Sequence, residues 1–413
     1  MPSTPPLRIA IVSTYYRPVI GGAETSTERL ALYLQGKGHH VQVLTKRTSD
    51  SLLWRETIDG IDVHRLAPTG ARSAAGKWVW LPWLLAALMR AHFDVVCVSD
   101  PRGSALAAWV AARLRRRPLL IQPHTEGALS GAHPGKTGVA AAVNRWATWP
   151  ARIIYSRADA VAGVTRAMLV EARSIGMSQP GLHYLPNPFD ASMFAPASDE
   201  SRRALRSSFG WSPGEIVFLF TGRLSVEKGL KDLLLAWREV ARPEWKLALA
   251  GPAMSGHPWD VSAWIESFVH VNALDGRVSM LGACAPTELA RRMAAADIAV
   301  QPSHFEAQGL AAVEAMGCGL PIVATDVGGH RESIVHGVNG LLVPPRDTRA
   351  LGAALLQMTD ILADPDHRRK WRAAARASVL PFDQDEVLGR FASVLEDLAA
   401  HASMRDPAGR QGT

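Results

Sequence analysis

Short apolar runs alternate with amphipathic helical segments from one end of this chain to the other. Runs suited to buried strands stand at residues 7–13, 41–44, 61–65, 95–98, 119–122 and 160–164, and again at 216–220, 247–250, 278–281, 298–300 and 321–324. Strands apolar on both faces must be covered on both. A chain that inserts a helix between successive strands achieves this with a parallel sheet between helical layers. Leu30, Ala31 and Leu34 recur at helical spacing after the first strand, and Gly36-Lys37-Gly38 stops that helix. At 413 residues the chain exceeds one ordinary domain, so two are expected. With 47% hydrophobic and 20% charged residues, long disorder is not.

The densest information lies in residues 296–345. The strand at 298–300 runs into a polar turn, Pro302 to Gln308, and a helix opens at Gly309 and closes at Gly317–Gly319. The strand at 321–324 then ends in Asp326 and the pair Gly328–Gly329. The first turn of a helix has unpaired N–H groups and a positive dipole end, so the amides at Gly309–Leu310 make an anion site. Glu306 in the turn and Glu314 in the helix flank it. Like charges keep both from a phosphate, but an ionised carboxylate binds hydroxyl groups strongly. Donors for phosphate beside acceptors for hydroxyls suit a sugar nucleotide. A second such place follows the strand at 216–220, which delivers Gly222, Arg223, Glu227, Lys228 and Gly229 ahead of another helix. Two cations before a helix start form a clamp for a departing diphosphate.

These motifs resemble those of the retaining glycosyltransferases of family four. The resemblance rests on Ser303, Glu306, Gly309, Glu314, Ala315, Met316, Gly319, Pro321, Gly328 and Gly329, and on the Gly-Arg-Leu-x-x-x-Lys-Gly run from Gly222 to Gly229. It covers residues 7–399 and implies an α/β fold of GT-B architecture, two Rossmann-like, doubly wound parallel-sheet domains facing across a cleft. The expected division is 1–190 for an acceptor-side domain and 191–383 for a nucleotide-sugar domain. A helix at 384–399 would pack back on the first domain, and 401–413 would be a disordered tail. The crossing is expected at HYLPNPFDASMFAP, with a linker over 187–211; Pro188 stands where the family's pattern has glycine.

In the first domain a dinucleotide-type GxGxxG is absent after the first strand, where Gly21-Gly22-Ala23-Glu24 stands instead. Glycine lets an amide approach a ligand closely, and the resemblance places Gly22 against the cleft. His124 follows a strand directly, and the family has a histidine there near the donor sugar. The segment KWVWLPWLLAALMRAHFD carries an apolar face of Leu84, Leu85, Leu88 and Met89. Trp78, Trp80 and Trp83, with Lys77 and Arg90, form either an interfacial, acceptor-facing patch or a helix packed in the domain. The segment 144–157 is similarly ambiguous.

The formal charge of +7, from 45 basic against 38 acidic residues, suits anionic partners: a nucleotide diphosphate, a phospholipid surface or nucleic acid. Cys97, Cys284 and Cys318 are far apart, with no zinc-type spacing, and one must be unpaired; Cys97 in an apolar strand and Cys318 at a small-residue helix end read as reduced core cysteines. No signal peptide is indicated, and the longest apolar run, twelve residues with Pro82 inside, falls short of the ~20 a membrane span needs. A cytoplasmic protein is expected, peripheral at most on the anionic inner face of the plasma membrane.

The resemblance implies the following roles. Arg223, Lys228 and the Gly309–Leu310 amides hold the diphosphate; Glu314 holds the ribose, Glu306 a hydroxyl of the donor sugar, and His124 orients that sugar. The nucleotide sugar is a co-substrate, so no cofactor is expected. No Asp-x-Asp motif stands in the expected place and the cations supply the charge, so no metal is expected either. Gln308, where relatives often carry an aromatic residue or proline, leaves the donor open between UDP- and GDP-hexoses. The acceptor is open among glycans, lipid-linked saccharides, phospholipids and small alcohols. Competing readings are a sugar-nucleotide epimerase of the same shape, a non-catalytic sugar-nucleotide binder, and a basic nucleic-acid binder, which explains the charge but none of the motifs.

Overall fold

The computed structural model describes residues 5–19, 21–70, 79–99, 102–125, 127–129 and 149–405. Tertiary contacts divide the chain into two units, Met1–Pro188 with Asp385–Thr413, and Phe189–Gln384.

Among the described residues the first unit holds eight strands: β1 (Arg8–Ser13), β2 (His40–Lys46), β3 (Arg55–Ile58), β4 (Ile61–Leu66), β5 (Val95–Ser99), β6 (Leu119–Gln122), β7 (Ala160–Gly163) and β8 (Leu182–Tyr184). They are ordered β3-β4-β2-β1-β5-β6-β7-β8, parallel except for the β3–β4 hairpin. The period of two divides the side chains. Ile9, Ile11, Val41 and Val43 pack with Leu30 and Leu34 of the Gly22–Gly36 helix and with Leu388, Phe391 and Leu395 of the Gln384–Arg405 helix. Ala10, Val12, Val96 and Val98 face Trp80, Leu84 and Leu88 on the other side.

The second unit is a six-stranded parallel sheet of β9 (Ile216–Thr221), β10 (Trp245–Ala250), β11 (Val278–Gly282), β12 (Ile298–Gln301), β13 (Ile322–Thr325) and β14 (Gly340–Val343). Its order is β11-β10-β9-β12-β13-β14. Phe218, Trp237 and Trp245 anchor one face, with ring centroids 4.8 to 5.7 Å apart. The connections run to opposite sides of the β9/β12 junction, which opens a crevice at the carboxyl ends of those strands.

Several expectations are corrected. The stretch 187–211 is not linker. Phe189 is buried and its amide donates to the Phe382 carbonyl (3.1 Å). Asp199–Ser208 is a helix, because Ser198 caps it by accepting from the Ser201 amide and Asp199 and Glu200 complement its dipole. The last helix runs to Arg405, so 401–405 are not tail. Trp80 is fully buried rather than interfacial, whereas Met89, expected in the core, is exposed. The helix Leu81–Arg90 presents Leu84 and Leu88 inward, and Trp83 and Met89 lie off that stripe. Lys77, Trp78 and residues 144–148 lie outside the described residues. The β3–β4 hairpin was missed, although Asp59-Gly60, both with positive φ, is a strong hairpin signal. Among the described residues no helix is long and apolar enough to cross a membrane.

Candidate active site

Three loops meet at the carboxyl edge of the second sheet: those after β9, β12 and β13. They are held together chiefly by backbone contacts. The Gly222 amide donates to the Ala250 carbonyl (2.9 Å), turning the chain out of β9. Gly229 has φ of 67°, and a Cβ there would collide with the Pro302 carbonyl oxygen. The His304 amide donates to the Glu227 carbonyl (2.8 Å), and the His304 ring pairs through Nε2 with Asp232 (2.5 Å). Beneath them, Gln301 Nε2 donates to the carbonyl and the hydroxyl of Thr221 (3.0 and 3.1 Å), closing β12 onto β9 where their ladder has ended. The β13 loop presses on the β12 loop so closely that side chains at Gly328 and Gly329 would strike the backbone of Glu306, Ala307 and Gln308.

The side chains this frame carries are those the motifs single out. Lys228 Nζ donates to both Glu306 oxygens, at 2.9 and 2.7 Å. Their side chains keep 15% and 14% of their exposure. Burial pushes the Glu306 carboxyl up, but the Lys228 ammonium, then His330 and, more weakly, Arg223 outweigh it, so Glu306 sits below the ordinary carboxylate value. Arg223 is exposed and reaches Glu227 at 3.3 Å. Glu227 therefore pairs with Arg223, and Lys228 with a carboxylate 78 residues away. The helix Leu310–Gly317 begins after Gly309, whose φ is 80°, and has no side-chain cap. Among the described residues no side chain caps its first amides, which lie at a positive dipole end beside Glu306. Glu314, half-buried, lies one turn into that helix.

In the first unit, Gly22 opens the helix Gly22–Gly36, and a Cβ on it would meet nothing within 4 Å. His124 lies just past β6 and forms a hydrogen-bonded string across the carboxyl ends of the strands. Thr27 Oγ1 donates to the Ala23 carbonyl (2.9 Å) and lies 2.9 Å from Ser99 Oγ, which lies 2.8 Å from His124 Nε2. A carbonyl only accepts, so Thr27 accepts from Ser99, and Ser99 accepts from His124 Nε2–H. Nδ1 then carries the lone pair. Burial pushes the His124 pKa down to about 4, with Asn187 opposing weakly, so the ring is neutral at pH 7.

Comparison with known proteins settles the family. Residues 201–378 match the model of glycosyl transferases group 1, and residues 21–188 the glycosyl transferase 4-like domain. A D-inositol 3-phosphate glycosyltransferase of Xylanimonas cellulosilytica is 30% identical over 433 residues, covering 99% of this chain and 100% of its own length. The chain belongs to the glycosyltransferases of family four. The fold agrees. Sucrose-phosphate synthase from Thermosynechococcus elongatus superposes with a TM-score of 0.81 over 96% of this chain and 100% of its own, at 23% identity. Anabaena HepE in complex with UDP-glucose gives 0.74 over 95% of this chain and 100% of its own, at 22% identity. Both units of this glycosyltransferase are the Rossmann-like domains of the GT-B fold.

Within the second unit, Gly222, Arg223, Lys228, Glu306, Gly309, Leu310 and Glu314 all lie on one sheet edge or the helix rising from it. Gly22 and His124 share the corresponding edge of the first. Sequence reasoning missed Gln301, Asp232 and His304, which stitch the loops, and His330, fully buried behind Gly309. Only the position of His330, directly after Gly328-Gly329, was a signal.

Proposed function

We propose that this glycosyltransferase moves a hexose from a nucleoside-diphosphate donor, UDP-linked or GDP-linked, to an acceptor hydroxyl with retention of anomeric configuration. The observation that carries the reading is the Lys228–Glu306 pair beside an uncapped helix start. A fixed ammonium and free amides suit a diphosphate, while the carboxylate between them suits a sugar hydroxyl. Arg223, exposed at the rim, folds onto the diphosphate and with Lys228 stabilises its charge as the glycosidic bond breaks. Glu314 takes the ribose. The neutral His124 accepts through Nδ1 from a sugar hydroxyl. The leaving phosphate oxygen takes the acceptor's proton, so no separate base is required. Two side-chain cations and a helix dipole supply the positive charge, which supports metal independence.

HepE's complex with UDP-glucose favours a UDP-sugar, and the inositol-phosphate relative favours a small polyol or sugar phosphate as acceptor. A lipid-linked saccharide is the second acceptor class. Trp83 (46% exposed) and Met89 beside Arg90 support contact with an anionic membrane on the cytoplasmic side. A thermal-shift panel of UDP-, GDP- and ADP-sugars tests the donor. Following the product's anomeric proton by NMR, with and without EDTA, tests retention and metal independence. A protein stabilised by none of the panel would end the proposal.

A further inference from the structure

His330 has no assigned part in this site, yet it is fully buried within it. Its Nδ1–H donates to the Thr325 carbonyl (2.8 Å), which fixes the tautomer and leaves Nε2 with a lone pair and no partner among the described residues. Burial lowers its pKa, with Glu306 opposing, so the ring is neutral. The ring edge lies against Gly309. A Cβ built there would stand 2.7 Å from His330 Cδ2, 3.0 Å from Nε2 and 3.2 Å from Glu306 Cγ. Thr325 is also tied to the start of the same loop, because its hydroxyl donates to the Ser303 carbonyl (2.5 Å). The end of β13 thus grips the β12 loop at both ends, at Ser303 directly and at Gly309 through the imidazole.

We propose that His330 is a positioning residue, a wedge that sets where the Gly309 helix start and the Glu306 side chain stand relative to one another. This rests on the donor-site reading above. A misplacement of about 1 Å at a reacting centre costs on the order of a hundredfold in rate. Uncapped amides can follow a flexible diphosphate, but a carboxylate that must meet one sugar hydroxyl cannot. His330 therefore serves the sugar more than the nucleotide.

Two variants separate the two functions of the ring. His330→Asn keeps an N–H for Thr325 and removes the ring edge; His330→Phe keeps the edge and removes the N–H. For each, the Kd of UDP, kcat and KM with UDP-glucose and the melting temperature are measured. We expect kcat/KM to fall at least about tenfold, mostly in kcat, with the Kd of UDP changed less than about threefold. A merely structural residue would lower the melting temperature and weaken both ligands together, which would overturn the proposal, as would either variant folding with wild-type kcat/KM. A crystal structure of His330→Asn judges it independently. Gly309 and Glu306 should shift, and finding both in place overturns the wedge. If the wild-type protein neither binds UDP nor turns over UDP-glucose, the donor reading falls instead, and that crystal structure still decides the role of His330.

Discussion

Replacing Lys228 by methionine keeps most of the stem and removes the ammonium, leaving Glu306 a largely buried carboxylate without its two charge-assisted hydrogen bonds. Removing one partner of a buried pair costs ~3–5 kcal/mol, and an exposed pair contributes about 0–1. With about one-seventh of each side chain exposed, the cost should be roughly 2–4 kcal/mol, a fall of roughly 5–15 °C for a unit of this size. The sign with pH follows from the depressed carboxyl. In the wild type it contributes stability that is fully present above the unfolded value of ~4.3 and is lost as pH falls through the lower folded value. In Lys228→Met the largest influence opposing burial is gone and only the weaker ones of His330 and Arg223 remain, so burial should raise that pKa, and stability near neutrality should drop and recover as acid protonates Glu306. Adding Glu306→Gln removes the stranded charge and should restore most of the melting temperature, while transfer stays down by about 10²–10³. Differential scanning calorimetry from pH 4 to 8 on wild type, both single variants and the double variant closes the cycle. A coupling energy near zero, or a Lys228→Met protein that melts as wild type across the range, would refute the account.

Gly329→Ala should cost about 1–3 kcal/mol from overpacking against Gln308, and should depress turnover more than stability because the displaced loop carries Glu306; chemical denaturation beside steady-state kinetics separates the two. His124, with its pKa pushed down to about 4, stabilises the fold above ~6.5, and that contribution is lost as pH falls toward 4. Melting temperatures between pH 4 and 6.5 should therefore rise with pH in the wild type and less steeply in His124→Gln. Ser99→Ala strands the His124 Nε2–H and should cost about 1–3 kcal/mol, with kcat reduced because the ring loses its fixed tautomer. Equal kcat in Ser99→Ala and wild type would show that the tautomer is held by something else.

The strands were legible because they are short apolar runs with helices between them, and a parallel sheet buried on both faces leaves that signature. β3 and β8 were not read because Arg55-Glu56-Thr57-Ile58 and Leu182-His183-Tyr184 are not apolar runs, and β14 was not read because its short run Leu341-Leu342-Val343 is hidden between Asn339-Gly340 and Pro344-Pro345, which read as turn. The helix inside the supposed linker was hidden by its own surface, since Asp199–Ser208 is polar nearly all round and announces itself only through Ser198 and the acids after it. Charges in the site were legible as types but not as partners. Lys228 adjoins Glu227 in sequence, yet the loop turn at Gly229 sends it to Glu306 while Arg223 takes Glu227. Which charges meet is decided by backbone geometry that spacing does not reveal.

That geometry explains why glycines were the more dependable sign. At the carboxyl edge, neighbouring parallel strands end about 4.8 Å apart, and the loops leaving β9, β12 and β13 must pass over one another before any side chain can be aimed. Gly229 against Pro302, and Gly328 and Gly329 against residues 306–308, occur where backbone meets backbone with no room for a Cβ. A carboxylate can be moved one turn along a helix and still bind a hydroxyl, but such a crossing has no substitute. The requirement also points inward. The Gly309 crossing is filled by an imidazole rather than by backbone, so among these four glycines it is the one where a side chain, and hence a single substitution, can retune the site without unmaking the sheet edge.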